Sequence, residues 1–194
     1  MVIASRRKFT IEEYHQLVDL GFFTENDRIE LIRGEIIEVT PKRTPHSVYN
    51  SQLWKQLYKL IGDRAEIRVQ EPIIFSPDSE SEPDVVIAKK KTDNYLSTHP
   101  TAADIILIIE ISDSTLKYDR ETKLPLYAET GISHYWIVDL VDSRLEVYSD
   151  PFSDRDKFDY RHKSIVLFNE TINIPEFADL NLELDFIFPL RERL

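Results

Sequence analysis

A glutamate stands near the end of the most apolar run of the chain, Ile105-Ile106-Leu107-Ile108-Ile109-Glu110-Ile111-Ser112. An isolated ionised carboxylate in such surroundings neutralises, pairs or coordinates a metal, so the run demands a partner for Glu110. A second acid, Asp84, opens an earlier β-branched run, Asp84-Val85-Val86-Ile87-Ala88, and Lys123 follows Glu110 in a helical pattern. Two carboxylates for a hard cation and one lysine for a water or a phosphate oxygen are the equipment of metal-assisted phosphodiester hydrolysis.

Geometry decides whether the three can meet. Residues 66–75, 83–88 and 104–112 are rich in β-branched residues and are predicted as strands, the last apolar on both parities and therefore central. If the second and third of these are antiparallel neighbours, the start of one and the end of the other fall at the same sheet edge, and Asp84 and Glu110 converge. Strand parity puts Asp84 on the face of Val86 and Ala88, and Glu110 on that of Ile106 and Ile108. Residues 119–131 are predicted as a helix that packs Leu124, Tyr127 and Ala128, stops at Gly131, and is kinked or effectively begun by Pro125. Its first turns hang over the same edge, within reach of the flexible lysine stem.

Each residue also has a plainer reading. Asp84 after Pro83 is ordinary turn chemistry, and Glu110 could be satisfied by Lys123 alone. Asp119 and Lys123 are four residues apart and could form a helix-surface pair worth a few tenths of a kcal/mol.

The flanking segments complete an α/β pattern. Thr10 and Glu13 form a capping-box signature ahead of Ile11, Tyr14, Leu17 and Val18, and Gly21 ends that helix. Arg33-Gly34 separates two short apolar runs as a tight hairpin. Residues 47–61 carry Tyr49, Leu53, Leu57 and Leu60 on one helical face, with Gly62 as the stop. Residues 134–140 return as a strand whose core-facing pair Tyr135-Trp136 packs rather than stacks on bases, and residues 144–149 pair beside it through Asp142-Ser143. Residues 150–157 read as a polar loop between further β patterns, including 164–168 and 171–174. A helix between strands implies a right-handed crossover onto a mixed sheet.

Composition narrows the chemistry. The 194 residues fit one domain over 1–194, and 42% hydrophobic with 30% charged residues is ordinary globular usage. No apolar run reaches membrane-spanning length and the first residues lack the apolar stretch of a secretory signal, so a cytoplasmic protein with no membrane partner is expected. The absence of cysteine excludes disulfides, thiolate zinc sites and cysteine nucleophiles, leaving oxygen or imidazole for any metal. His15, His99, His134 and His162 show no ligand spacing. A formal net charge of −11 repels polyanions over the whole chain, and the clusters Arg6-Arg7-Lys8 and Lys89-Lys90-Lys91 read as solvated surface. A cleft holding divalent cations would reverse the local sign.

The segments Phe9-Thr10-Ile11-Glu12-Glu13-Tyr14, Glu30 to Ile36, His46, Glu82 to Ala88, Ile109 to Thr115 and Asp119 to Asp139 resemble the Uma-two family, within the PD-(D/E)XK restriction-endonuclease-like superfamily. The resemblance spans about Phe9 to Asp139. It implies a mixed β-sheet flanked by helices, here with an added N-terminal hairpin and C-terminal strands. It further implies Mg²⁺ or Mn²⁺ at Asp84 and Glu110, with the Ile111 backbone carbonyl as a further ligand, and Lys123 positioning or activating the attacking water. The superfamily pattern would place a lysine where Ser112 stands; in the Uma-two family a serine is usual there and the lysine moves to the following helix, which fits Lys123. Glu30 and His46 match recurrent family positions and could line the same cleft.

These readings converge on a divalent-metal-dependent endonuclease acting on DNA, for which a homodimer would supply two symmetric sites to two strands. Two rivals stand beside it: a noncatalytic binding or regulatory module on the same fold, and a metal-dependent hydrolase of small phosphoesters. The acidic net charge and the lack of a DNA-reading motif favour the former rival; paired carboxylates in an apolar run weigh against it.

Overall fold

Aliphatic and β-branched residues fill both faces of the central strands, because helices or loops cover the sheet on either side. The computed structural model describes residues 5–24 and 27–188. Helix α1 (Ile11–Asp19) starts at the predicted capping box, with Thr10 and Glu13 satisfying each other's backbone N–H groups. Strands β1 (Ile29–Ile32) and β2 (Glu35–Glu38) follow as the predicted hairpin. Arg33 and Gly34 both take positive φ, 49° and 77°, which is the tight-turn geometry that glycine favours. A side chain at position 34 would also collide with Lys8 Cβ at 2.7 Å.

Helix α2 (Thr44–Ile61) begins three residues earlier than predicted, and its buried face presents His46, Asn50, Leu53, Leu57 and Ile61. Strands β3 (Glu66–Val69), β4 (Ile73–Phe75), β5 (Ser79–Ser81) and β6 (Val85–Ala88) come next. The single strand expected over 66–75 is therefore two. Gln70 adopts φ 55° and Pro72 cannot donate a ladder hydrogen bond, so the chain leaves one sheet and enters another. Strand β5 carries no apolar residue and gave no pattern; pairing with β1 and β4 makes it a strand.

Strand β7 (Ile105–Ser112), buried throughout, leads into α3 (Leu116–Tyr118), a π-helical turn over Asp119–Lys123, and α4 (Leu124–Glu129). The wide turn is closed by the Leu124 N–H donating to the Asp119 carbonyl. It ends two residues before Pro125, whose ring would clash with an α-helical carbonyl four residues back. Strand β8 (His134–Asp139) then runs parallel to β7, and β9 (Arg144–Asp154) and β10 (Lys157–Leu167) form a long hairpin. The polar loop expected over 150–157 is mostly ribbon: Pro151 pairs with Tyr160 and Asp154 with Lys157. A solvated two-stranded ribbon needs backbone pairing rather than apolar alternation, so its sequence looked like a loop. Strands β11 (Thr171–Ile174) and β12 (Phe177–Glu183) close the described fold as a separate hairpin.

The central sheet has the order β10-β9-β8-β7-β6-β3, with β7–β8 the parallel pair, and a smaller sheet has the order β2-β1-β5-β4. The fold is thus α/β with a mixed sheet flanked by helices, the N-terminal hairpin and the C-terminal strands. One core lies between the sheet, α2 and the C-terminal elements, including Leu53, Leu57, Trp136 and Leu184; a second lies under α4, including Ile108, Tyr127, Tyr135 and Ile137; a small third joins Ile11, Tyr14 and Leu31. Tyr135 and Trp136 are buried on opposite faces, as packing residues.

Strands β6 and β7 are antiparallel neighbours, as the convergence of Asp84 and Glu110 requires. One detail of parity fails. An irregularity pairs Ala88 with Ile105 rather than Ile106, so Ile106 packs with Leu107 on the α2 side while Ile108 keeps the face of Glu110. No helix among the described residues is long and apolar enough to cross a membrane.

Candidate active site

The start of β6, the end of β7, the first turn of α2, strand β1 and the π turn meet at one edge of the central sheet. Their side chains line a cavity of about 60 Å³ that includes Glu30, Lys42, His46, Asp84, Glu110 and Lys123. Asp84 Oδ2 accepts from His46 Nε2 at 2.9 Å and from the Ile111 amide at 2.8 Å, while Oδ1 lies 2.8 Å from Lys42 Nζ. Since a carboxylate only accepts here, His46 carries its proton on Nε2. Glu110 Oε1 accepts from Lys123 Nζ at 2.8 Å and from the Tyr127 hydroxyl at 2.9 Å, and Oε2 accepts a longer bond, 3.3 Å, from the Asp84 amide.

Glu30 completes the cluster from β1. Its Oε1 accepts from Lys123 Nζ at 3.0 Å, the Ser81 hydroxyl at 3.1 Å and the Glu82 amide at 2.9 Å, and Oε2 from the Tyr118 hydroxyl at 3.3 Å. Asp119 is held apart from these, accepting from Ser112 at 2.6 Å and Thr115 at 2.9 Å. The exposed Asp119–Lys123 surface pair does not form: both residues are buried, at 3% and 4% exposure, and the π turn sends Lys123 to Glu110 and Glu30 instead.

All the sequence-predicted site residues therefore gather in this region. Asp84, Glu110, Lys123, Glu30, His46 and Asp119 line the cavity with Ile111, whereas Ser112 stands behind it and acts on Asp119. Sequence reasoning missed Lys42 and gave Tyr127 only a packing role. Tyr127 lies four residues after Lys123, on the same helical side, and that spacing could have found it. Lys42 lies in the irregular segment between β2 and α2 and left no periodic signal.

Burial works to raise the Asp84 carboxyl, but His46 and the Lys42 charge outweigh it and hold Asp84 well below the ordinary carboxylate range. Glu110 moves the other way: burial pushes its carboxyl up to about 8 against the opposing charge of Lys123, and Asp84, Asp119 and Glu30 add repulsion. Burial likewise raises Asp119. Burial pulls the Lys123 ammonium down, yet Glu110 and Glu30 more than compensate and keep it charged. Four carboxyl groups thus share the neighbourhood of two lysines, and like charges so close together disfavour ionising all four at once.

No group of three or more His, Asp or Glu side chains among the described residues forms a ready-made metal cage. A magnesium-like ion does not require one, because it retains several waters and commonly takes only one or two carboxylates from the protein. Asp84 Oδ1 and Glu110 Oε2 are hard oxygens of the kind such an ion takes, and the Ile111 amide holds the other oxygen of Asp84.

Comparison with known proteins agrees with this architecture. The structure resembles a crystal structure described as "a putative nuclease belonging to DUF820 from Anabaena variabilis ATCC 29413", with a TM-score of 0.71, 16% identity, and coverage of 93% of this chain and 98% of the other. No curated protein matches the sequence. Residues 11–186 match the Uma2 family, described as "Putative restriction endonuclease". That span reaches beyond Asp139 through the β9–β10 ribbon and the last hairpin, and it takes in every acid and lysine of the cavity. The chain therefore belongs to the Uma2 family and has the restriction-endonuclease-like fold.

Proposed function

We propose that the protein, as one domain, is a divalent-metal-dependent DNA endonuclease that hydrolyses phosphodiester bonds. The observation that carries this reading is the meeting of Asp84, Glu110 and Lys123, from three separate elements, in one buried cleft. Asp84 and Glu110 would hold Mg²⁺ or Mn²⁺, with the Ile111 carbonyl as a further ligand. When bound, the cation supplies charge for the phosphate oxygens and acidifies an attacking water.

The chain's own groups do the rest. Lys123, kept protonated between Glu110 and Glu30, offers a preorganised charge to the transition state. His46 and the Ile111 amide fix the orientation of Asp84, and Tyr127 fixes that of Glu110. Ser112 and Thr115 hold Asp119 and with it the start of the π turn that carries Lys123. The cavity, about 60 Å³, is far below the roughly 300 Å³ of a small-ligand pocket. That size favours a phosphate presented by a long strand lying across the mouth over a small phosphoester enclosed whole. Arg28, Lys42 and Arg43 line that mouth and offset the acidic field locally.

Nicking of supercoiled plasmid in Mn²⁺ tests the proposal, with melting curves as the control for folding. The parent should nick, and Asp84→Asn should lose about 100-fold or more while melting cooperatively. Equal nicking by parent and Asp84→Asn would overturn it, and a parent inactive on every nucleic acid but active on a small phosphodiester would transfer the site to the other hydrolase reading.

A further inference from the structure

Lys123 belongs to a helical element and its side chain is 5% exposed between Glu30 and Glu110. Lys42 has a different standing. It comes from the irregular segment between β2 and α2, its side chain is 19% exposed, and its ammonium sits 2.8 Å from Asp84 Oδ1. Oδ1 is the oxygen left after His46 and the Ile111 amide have taken Oδ2, and its other neighbour, Gln70 Nε2, is at 3.5 Å. The side of Asp84 that could accept a cation already carries one, supplied by the chain itself.

We propose that Lys42 is a displaceable internal cation. It caps Asp84 in the metal-free protein, a divalent ion at Asp84 and Glu110 drives it off, and the freed ammonium turns to a phosphate oxygen of the substrate. The inference rests on the metal-centre reading given above. A magnesium-like ion approaches a carboxylate oxygen to about 2.1 Å, so sharing Oδ1 with an ammonium would force like charges within a few ångströms of each other. In a buried cleft that repulsion is poorly screened. One of the two must leave, and Lys42 has a flexible four-carbon stem, an irregular backbone and a position at the mouth beside Arg28 and Arg43.

This exchange couples metal to substrate. Until metal arrives, the lysine neutralises Asp84 and lowers the affinity for free ions; once displaced, it adds a positive charge where a phosphate would lie. Because coupling is reciprocal, bound phosphate should in turn strengthen metal binding.

Lys42→Met keeps most of the stem and removes the charge. Calorimetric titration of Mn²⁺ into the full chain, without nucleic acid, should show Lys42→Met binding at least tenfold more tightly than the parent. The metal-free variant should melt below the parent, and its rise in melting temperature with Mn²⁺ should be larger. Amine acylation read by mass spectrometry gives an independent view in the unaltered chain, where Lys42 should be protected without metal and modified faster with Mg²⁺. Mn²⁺ binding in Lys42→Met that is equal to or weaker than in the parent overturns the displacement and leaves the metal centre standing. Acylation of Lys42 unchanged by Mg²⁺ does the same. Absence of binding in both proteins, or binding that survives Asp84→Asn unaltered, removes the metal centre and the inference with it.

Discussion

Glu110 on β7 and Glu146 on β9 flank Ile137 on one rung of the central sheet, on the same face, and both are buried. The π turn serves both, sending Lys123 to Glu110 and Arg120 to Glu146. Their surroundings otherwise differ. Arg120 grips Glu146 through two nitrogens, Tyr148 donates to it at 2.6 Å, and Arg144 and Lys163 lie 3.3 and 3.6 Å away. Burial raises the Glu146 carboxyl, but the Arg120 and Tyr148 hydrogen bonds outweigh that and hold it down at about 2. Burial drives the Glu110 carboxyl up instead, because Lys123 opposes it alone and the other charged neighbours are acids. A buried carboxylate saturated by arginines is a structural tie; one that shares its lysine with other acids and opens on a cleft is where the proposed cation would sit.

That contrast is easiest to break by catalysis. Glu110→Gln should lower Mn²⁺-dependent nicking by about 100-fold or more, whereas Glu146→Gln should stay within about twofold of the parent. Comparable losses in both, with both folded, would erase the distinction. Stability should invert the order. Glu146→Gln removes the charge that two arginines, each about a third exposed, share, while its amide oxygen and Asp139 still offer them acceptors, and urea unfolding should show a loss of about 2 kcal/mol. Glutamine at position 110 can still accept from Lys123 and Tyr127 through one oxygen and loses only the longer 3.3 Å bond from the Asp84 amide, so Glu110→Gln should change metal-free stability by about 1 kcal/mol.

Acid sharpens the comparison further. Because the folded protein holds Glu146 at about 2, below its ordinary 4.5, this group stabilises the fold above the ordinary value and ceases to do so as pH falls towards 2. The stability gap between parent and Glu146→Gln should therefore close on acidification across that interval; a gap that persists to pH 2 would mean the hydrogen-bond geometry, not the charge, is responsible. The smallest effect belongs to Lys163, half exposed and 3.6 Å from Glu146. Lys163→Ala should cost under about 0.5 kcal/mol and leave nicking unchanged, and a loss above about 1 kcal/mol would show that the arginines do not suffice.

Much of the cleft was legible because its residues violate local expectation. Glu110 in an apolar run could not be left unpaired, and Asp84 at the head of a β-branched run supplied the second carboxylate. The order of elements then put Lys123 beside them. Where local pattern was silent, the reading failed: Ser79–Ser81 became a strand only through its neighbours, Asp150–Lys157 became ribbon through cross-strand pairing, and Lys42 lay in a segment with no period at all. Side-chain parity held for Glu110 and Ile108 and failed for Ile106, because an irregularity between two strands is a property of their pairing.

The sequence alone determined the α/β order, the capping box of α1, the Arg33-Gly34 turn and the three residue types that could do hydrolytic chemistry, since each depends on neighbours within a few positions or on composition. Tertiary structure decided who neutralises whom. Whether Lys123 would face solvent with Asp119 or lie buried against Glu110 and Glu30 depended on a widened turn ahead of Pro125, and whether Asp84 would stand bare or capped by Lys42 depended on where an irregular segment lay. Charge pairing falls with distance in space and with exposure to water, and neither quantity is fixed by separation along the chain.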